Sequence, residues 1–118
     1  MADSILLGTI LWARFGPRGQ YKKRPAVVLS EPDSDDNLCV VVGSKIPPRD
    51  SSRGIELPYD PKGRCRTKLK VRTIVDLGWR EQIHINDVLQ IGGVLPARTL
   101  VEIQDEIRRI FPSSAKPK

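Results

Sequence analysis

Between Leu69 and Trp79 the chain alternates strictly. Leu69, Val71, Thr73, Val75, Leu77 and Trp79 share one side, while Lys68, Lys70, Arg72, Ile74 and Asp76 take the other. A period of two held over this length predicts a half-buried strand, because successive strand side chains point to opposite faces. Gly78 marks a bend or bulge in it. The remaining strands are shorter: 8–14 (GTILWAR), 25–30 (PAVVLS, with Pro25 at the first position), 38–44 (LCVVVGS), 55–58 (IELP) and 90–95 (QIGGVL). The 38–44 run is apolar throughout, as in a strand covered on both faces. Gly/Pro-rich or polar loops separate them at 16–24, 31–37, 45–54 and 60–66, and 83–89 reads ambiguously. Near the C-terminus Leu100, Ile103, Ile107 and Ile110 recur at three and four residues, which predicts a helix. Pro96 suits its first turn and Pro112 stops it. The expectation is a mainly β chain with one C-terminal helix (α+β). It forms a small, strongly bent barrel over residues 1–111, with the helix capping one end or face. Residues 112–118 read as a frayed tail.

At 118 residues this is one domain. No apolar run reaches the ~20 residues of a membrane span. The acidic, short apolar start is a poor signal peptide, which points to the cytoplasm. Cys39 and Cys65 are too few for a disulfide framework, and one histidine with two distant cysteines makes no zinc cluster. Six aromatic residues are too few for a broad base-stacking platform. No metal or cofactor is expected.

The net charge of +6 favours an anionic partner. The cations are concentrated. Arg14, Arg18, Lys22, Lys23 and Arg24 lie in one acid-free stretch; Lys62, Arg64, Arg66, Lys68, Lys70 and Arg72 lie in another. Together they hold 11 of the 20 Lys and Arg residues. Such stretches can follow a phosphate backbone, with affinity that falls steeply with salt, or simply form a solvated surface.

With KRPAVVLS (23–30) preceded by GTILWARF and a Gly/Pro loop, the sequence resembles the MazF/PemK toxin family. LCVVVGSKIPP is similar to the family's third strand, which ends in Thr or Ser. The stretch LKVRTIVDLGWREQIHINDVLQIGGVLPARTLVEIQDEI is similar to its C-terminal half, with a paired strand, an IG-x-L segment and a closing helix. The order and spacing carry the resemblance over about residues 7–110. It implies an SH3-like barrel of the MazF/PemK/CcdB type, usually a homodimer. It further implies a metal-independent endoribonuclease that cuts single-stranded mRNA, and an antitoxin whose acidic flexible tail occupies the RNA site.

Metal-free cleavage uses the RNA's own 2′-hydroxyl, and the enzyme's part is positioning and charge stabilisation. Arg24 falls on the family's Arg-Pro arginine, and a guanidinium can donate to two phosphate oxygens. Ser44 ends the third strand and can donate its hydroxyl to phosphate; its other reading is a turn-forming serine. Arg18, Lys22, Lys23 and Lys45 are expected to contact the RNA backbone. His84, the only histidine, reads as an ordinary strand or loop residue. Trp12 and Trp79 read as core first and base-stacking second. Some family members carry a first-loop histidine and an Arg-x-Asp; here Asp76 and Gly78 occupy the latter positions, so the general base is unassigned. A non-catalytic toxin acting on gyrase, or a binding module of the same fold, is the competing reading.

Overall fold

The computed structural model describes residues 5–16, 22–46 and 48–111. Its strands are β1 (Thr9–Phe15), β2 (Lys22–Ser30), β3 (Asn37–Ser44), β4 (Gly54–Leu57), β5 (Thr73–His84) and β6 (Gln90–Val94); the helix is α1 (Ala97–Ile110). The strands make one sheet in the order β4-β5-β3-β2-β1-β6, antiparallel at every step. The sheet curls into a half-barrel with α1 packed against it.

The central strands are covered on both faces, as the apolar run in β3 predicts. On one face Ile10, Val27 and Val41 pack with Ile55, Leu57, Val75 and Leu77, beneath Ile103 and Ile107 of α1. On the other, Leu11, Ala13, Phe15, Ala26, Val28, Leu38, Val40 and Val42 are covered by Trp79, Ile83, Ile85 and Val88. The helix thus caps one face, as its periodicity indicates, with Leu100 and Ile110 half-buried beside the two buried isoleucines. Ile103 is fully buried, so Ile103→Ala is expected to lower unfolding free energy by about 2–5 kcal/mol. A urea titration checks this.

β5 serves both faces because it bulges. Between two ladder pairs β3 advances from Val41 to Gly43, while β5 runs from Arg80 back to Val75. The surplus on β5 is an odd number of residues, so side-chain parity inverts across it. Val75 and Leu77 point to the helix face, yet Trp79 and Ile83 point to the other. Asp76 Oδ1 accepts the Gly78 N–H at 2.9 Å inside the bulge. The bulge read from Gly78 is therefore present, but Trp79 does not share a face with Leu77 as strict alternation implied.

Two further expectations are corrected. The long strand starts at Thr73, not Leu69, and runs on through the ambiguous segment to His84. β2 begins at Lys22, so Pro25 is internal rather than first. β2 retains β1 as a partner there (Trp12↔Pro25, Ala13↔Arg24, Arg14↔Lys23), but its ladder with β3 starts only at Ala26↔Val42. A residue without an N–H is tolerated where one side of the ladder has stopped.

Residues 58–69 explain where Leu69 went. The edge strands β4 and β6 are not paired with each other, and this segment spans the gap. The Gly93 and Val94 N–H groups donate to the Thr67 and Arg66 carbonyls at 3.2 and 3.0 Å, and the Asp60 N–H donates to the Leu69 carbonyl at 2.9 Å. The buried Thr67 hydroxyl donates to the Pro58 carbonyl at 2.8 Å and accepts the Leu69 N–H at 3.2 Å. Leu69 is buried as alternation predicts, but within a strap rather than a strand.

Candidate nucleic-acid interface

Arg24 and Ser44 are brought together by register. The β2–β3 ladder begins at Ala26↔Val42, and two residues further along each strand stand Arg24 and Ser44. Both therefore project from the Ala26/Val42 face at the same end of the sheet. The Arg24 guanidinium lies 5.2 Å from the centre of the Trp79 ring, and its Nε–H donates to the Phe15 carbonyl at a long 3.4 Å. Trp79 is itself fixed, its indole N–H donating to Glu81 Oε2 at 2.9 Å. The parity change in β5 is what delivers this ring beneath Arg24. Ser44 Oγ accepts the Ile46 N–H at 2.9 Å and donates to the Ile46 carbonyl at 3.1 Å. The hydroxyl thus does hold the turn that follows β3, and a phosphate must compete with one carbonyl for its proton.

An open pocket of about 360 Å³ sits at this end of the sheet. Lys22, Lys23, Arg24 and Lys45 line it together with Trp12 and Ser44. Among its described lining residues there is no carboxylate and no histidine. Lys23 points to the opposite face from Arg24, where its ammonium donates to Gln90 Oε1 at 3.0 Å and stands 5.7 Å from the centre of the Trp12 ring. The pocket therefore offers cations from both faces of one sheet end. Of the residues expected from sequence, Arg24, Ser44, Lys22, Lys23 and Lys45 meet here, while Arg18 lies outside the described residues. Sequence reasoning missed Gln90, Val71 and Thr73. Pairing with β1 places Gln90 and pairing of β5 with β4 places Thr73, while Val71 lies just before β5; nothing local in the sequence signals this.

His84 is excluded from this constellation by the ladder. It pairs with Asn37 at the far end of β3. Its Nδ1 accepts the Asn86 N–H at 3.0 Å and its own N–H donates to Asp87 at 2.9 Å, so it caps a short 3₁₀ turn. Trp12 and Trp79 are half-buried and pack against the two cores, as expected of strand-face aromatics. Cys39 is half-buried, and burial pushes its thiol pKa up despite the nearby Arg80, which makes it a poor nucleophile. Among the described residues no group of three His, Cys, Asp or Glu could hold a metal, and no helix is long and apolar enough to cross a membrane.

Residues 7–111 match the family described as PemK-like, MazF-like toxin of type II toxin-antitoxin system. A MazE-MazF complex from Deinococcus radiodurans is similar in fold, with a TM-score of 0.69 at 18% identity over 93% of this chain and 98% of that one. The toxin MazF-mt6 of Mycobacterium tuberculosis gives a TM-score of 0.67 at 17% identity, over 88% of this chain and 96% of its own. A mycobacterial endoribonuclease in complex with its cognate antitoxin gives 0.67 at 14%, over 91% and 94%. Comparison with curated protein sequences gives no match. With a family match spanning all six strands and the helix, the chain belongs to the PemK-like, MazF-like toxins of type II toxin–antitoxin systems.

Proposed function

We propose that this toxin is a metal-independent endoribonuclease that cleaves single-stranded mRNA in the cytoplasm and leaves 2′,3′-cyclic phosphate and 5′-hydroxyl ends. The observation that carries the reading is the placement of Arg24 beside Ser44 at the mouth of a pocket lined by cations and free of described carboxylates. In this reading the 2′-oxygen attacks the adjacent phosphorus and the bond to the 5′-oxygen breaks. The Arg24 guanidinium bears the charge of the pentavalent phosphorane, Ser44 donates to a phosphate oxygen, and Lys22, Lys23 and Lys45 hold the flanking backbone. The 2′-oxygen loses its proton as it attacks and the leaving 5′-oxygen gains one; the general base is unassigned among the described residues. The chain works as a homodimer without a cofactor. Its antitoxin covers the pocket with an acidic flexible tail; the mycobacterial and Deinococcus relatives are described with antitoxin partners.

The test is incubation of purified protein with single-stranded RNA of diverse sequence in EDTA. Cyclic-phosphate ends are expected, and their absence across the set overturns the enzymatic reading. His84→Ala is expected to leave the cleavage rate within about twofold of wild type, since the residue stands at the other end of the sheet. A second reading, a toxin that binds without cutting, is favoured by one observation: the Ser44 hydroxyl is already engaged by Ile46. Growth arrest with RNA left intact, relieved by mutation of gyrase or another protein target, decides for it.

A further inference from the structure

A second pocket of about 380 Å³ adjoins the first and shares Trp12, Lys23 and Val71 with it. Its other lining residues are Lys68 and Leu69 of the strap, Lys70 just beyond it, and Gln90. We infer that this pocket is a subsite for the sugar-phosphate backbone of a nucleotide flanking the cleaved bond, with Lys68 and Lys70 as its phosphate contacts. The inference rests on the RNA-cleaving reading and extends it to a specific path: the strand leaves the Arg24/Ser44 end, passes Lys23 and runs along the strap.

Three observations support it. First, Lys68 and Lys70 carry no ion pair among the described residues; Lys62 and Arg66 carry none either but do not line this pocket. Arg64 pairs with Asp60 at 3.3 Å and Arg72 with Glu56 at 3.2 Å. Second, they are held in place. Thr67 and Leu69 are buried on either side of Lys68, which adopts a left-handed backbone at φ 60°, and the Lys68 and Lys70 side chains are exposed. The Lys70 stem runs over Gly63, where a Cβ would stand 3.1 Å from Lys70 Cε. Third, Lys23 stands at the junction, oriented by Gln90 and by the Trp12 ring, so a single cation borders both pockets.

The experiment measures binding of a random-sequence 20-mer of 2′-O-methyl RNA, which lacks the attacking hydroxyl, by fluorescence anisotropy across a salt series. Each phosphate contact on a single strand contributes about −0.7 to the slope of log K against log salt. The double variant Lys68→Gln/Lys70→Gln is expected to bind about tenfold more weakly at 0.1 M salt, with a slope shallower by roughly 1.4. Both residues are exposed, so the fold is retained, and circular dichroism verifies it. In cleavage of ordinary RNA the same variant raises KM and leaves kcat near wild type. An unchanged affinity, or weaker binding with an unchanged slope, overturns the subsite. If wild type cleaves RNA in that case, the enzymatic reading stands without it. If wild type neither binds nor cleaves RNA, both fall together.

Discussion

Replacing Arg24 with alanine is expected to reduce RNA cleavage by about 10²–10³-fold, the usual effect of removing a preorganised donor aimed at transition-state charge. The phosphorane gains negative charge that the substrate lacks, so the loss should fall mainly on kcat. Arg24→Lys retains the charge but discards the planar pair of donors and the stacking on Trp79, and is expected to recover little of the rate. The fold should survive both changes. The side chain is half-buried, its one hydrogen bond is long, and a cation–π contact at such a site is worth about 0.5–1 kcal/mol. Parallel measurements of single-turnover rates and thermal unfolding separate the two effects. A variant that stays folded and cleaves at more than about a tenth of the wild-type rate removes Arg24 from the chemistry.

The largest effect on stability is expected at Gly93. A Cβ there would stand 1.9 Å from the Arg66 carbonyl oxygen and 2.5 Å from the Thr67 carbonyl carbon. These are backbone atoms, so no side-chain rotation relieves the clash. Gly93→Ala must push the strap away from β6. It breaks the hydrogen bonds to Thr67 and Arg66, at about 1 kcal/mol each, and exposes Leu69, at about 1.5–3 kcal/mol. A loss of about 3–5 kcal/mol is expected, well outside the usual range for a single methyl. Gly78→Ala is the control: the nearest atoms to its Cβ would be the tips of the Arg53 and Asp76 side chains, both at 3.3 Å, and its cost should stay below about 1 kcal/mol. Chemical denaturation of the two variants side by side checks the contrast. A Gly93→Ala midpoint like that of Gly78→Ala would show that the strap is not seated as described.

Which parts of this architecture can be read from the sequence follows from the range of the forces involved. Val40, Val41 and Val42 announce a doubly covered strand, and Ile103 with Ile107 announces the buried side of the helix, because periodicity is local. Arg24 and Ser44 are singled out in the sequence only by the family resemblance, on its Arg-Pro and on the Ser that ends the third strand. Their shared face is not legible there, because it depends on the β2–β3 register. Alternation alone puts Trp79 on the wrong face for a physical reason: an odd bulge reverses parity, and Gly78 indicates that a bulge exists without giving its length. Leu69 looked like strand because it alternates, yet its backbone hydrogen bonds go to Asp60 and Thr67 instead of a ladder. Gln90 joined Lys23 through the pairing of β6 with β1, which no short window of sequence contains.

That last pairing has a consequence for how such a molecule is made. Trp12 pairs with Gln90, and the Leu89 N–H donates to the Trp12 carbonyl at 2.7 Å. The contact order is high, and closures of this kind form late. During vectorial synthesis the second strand emerges with its lysines and Arg24 long before Gln90 leaves the ribosome. The contact between Lys23 and Gln90 is therefore among the last parts of the cleft to form.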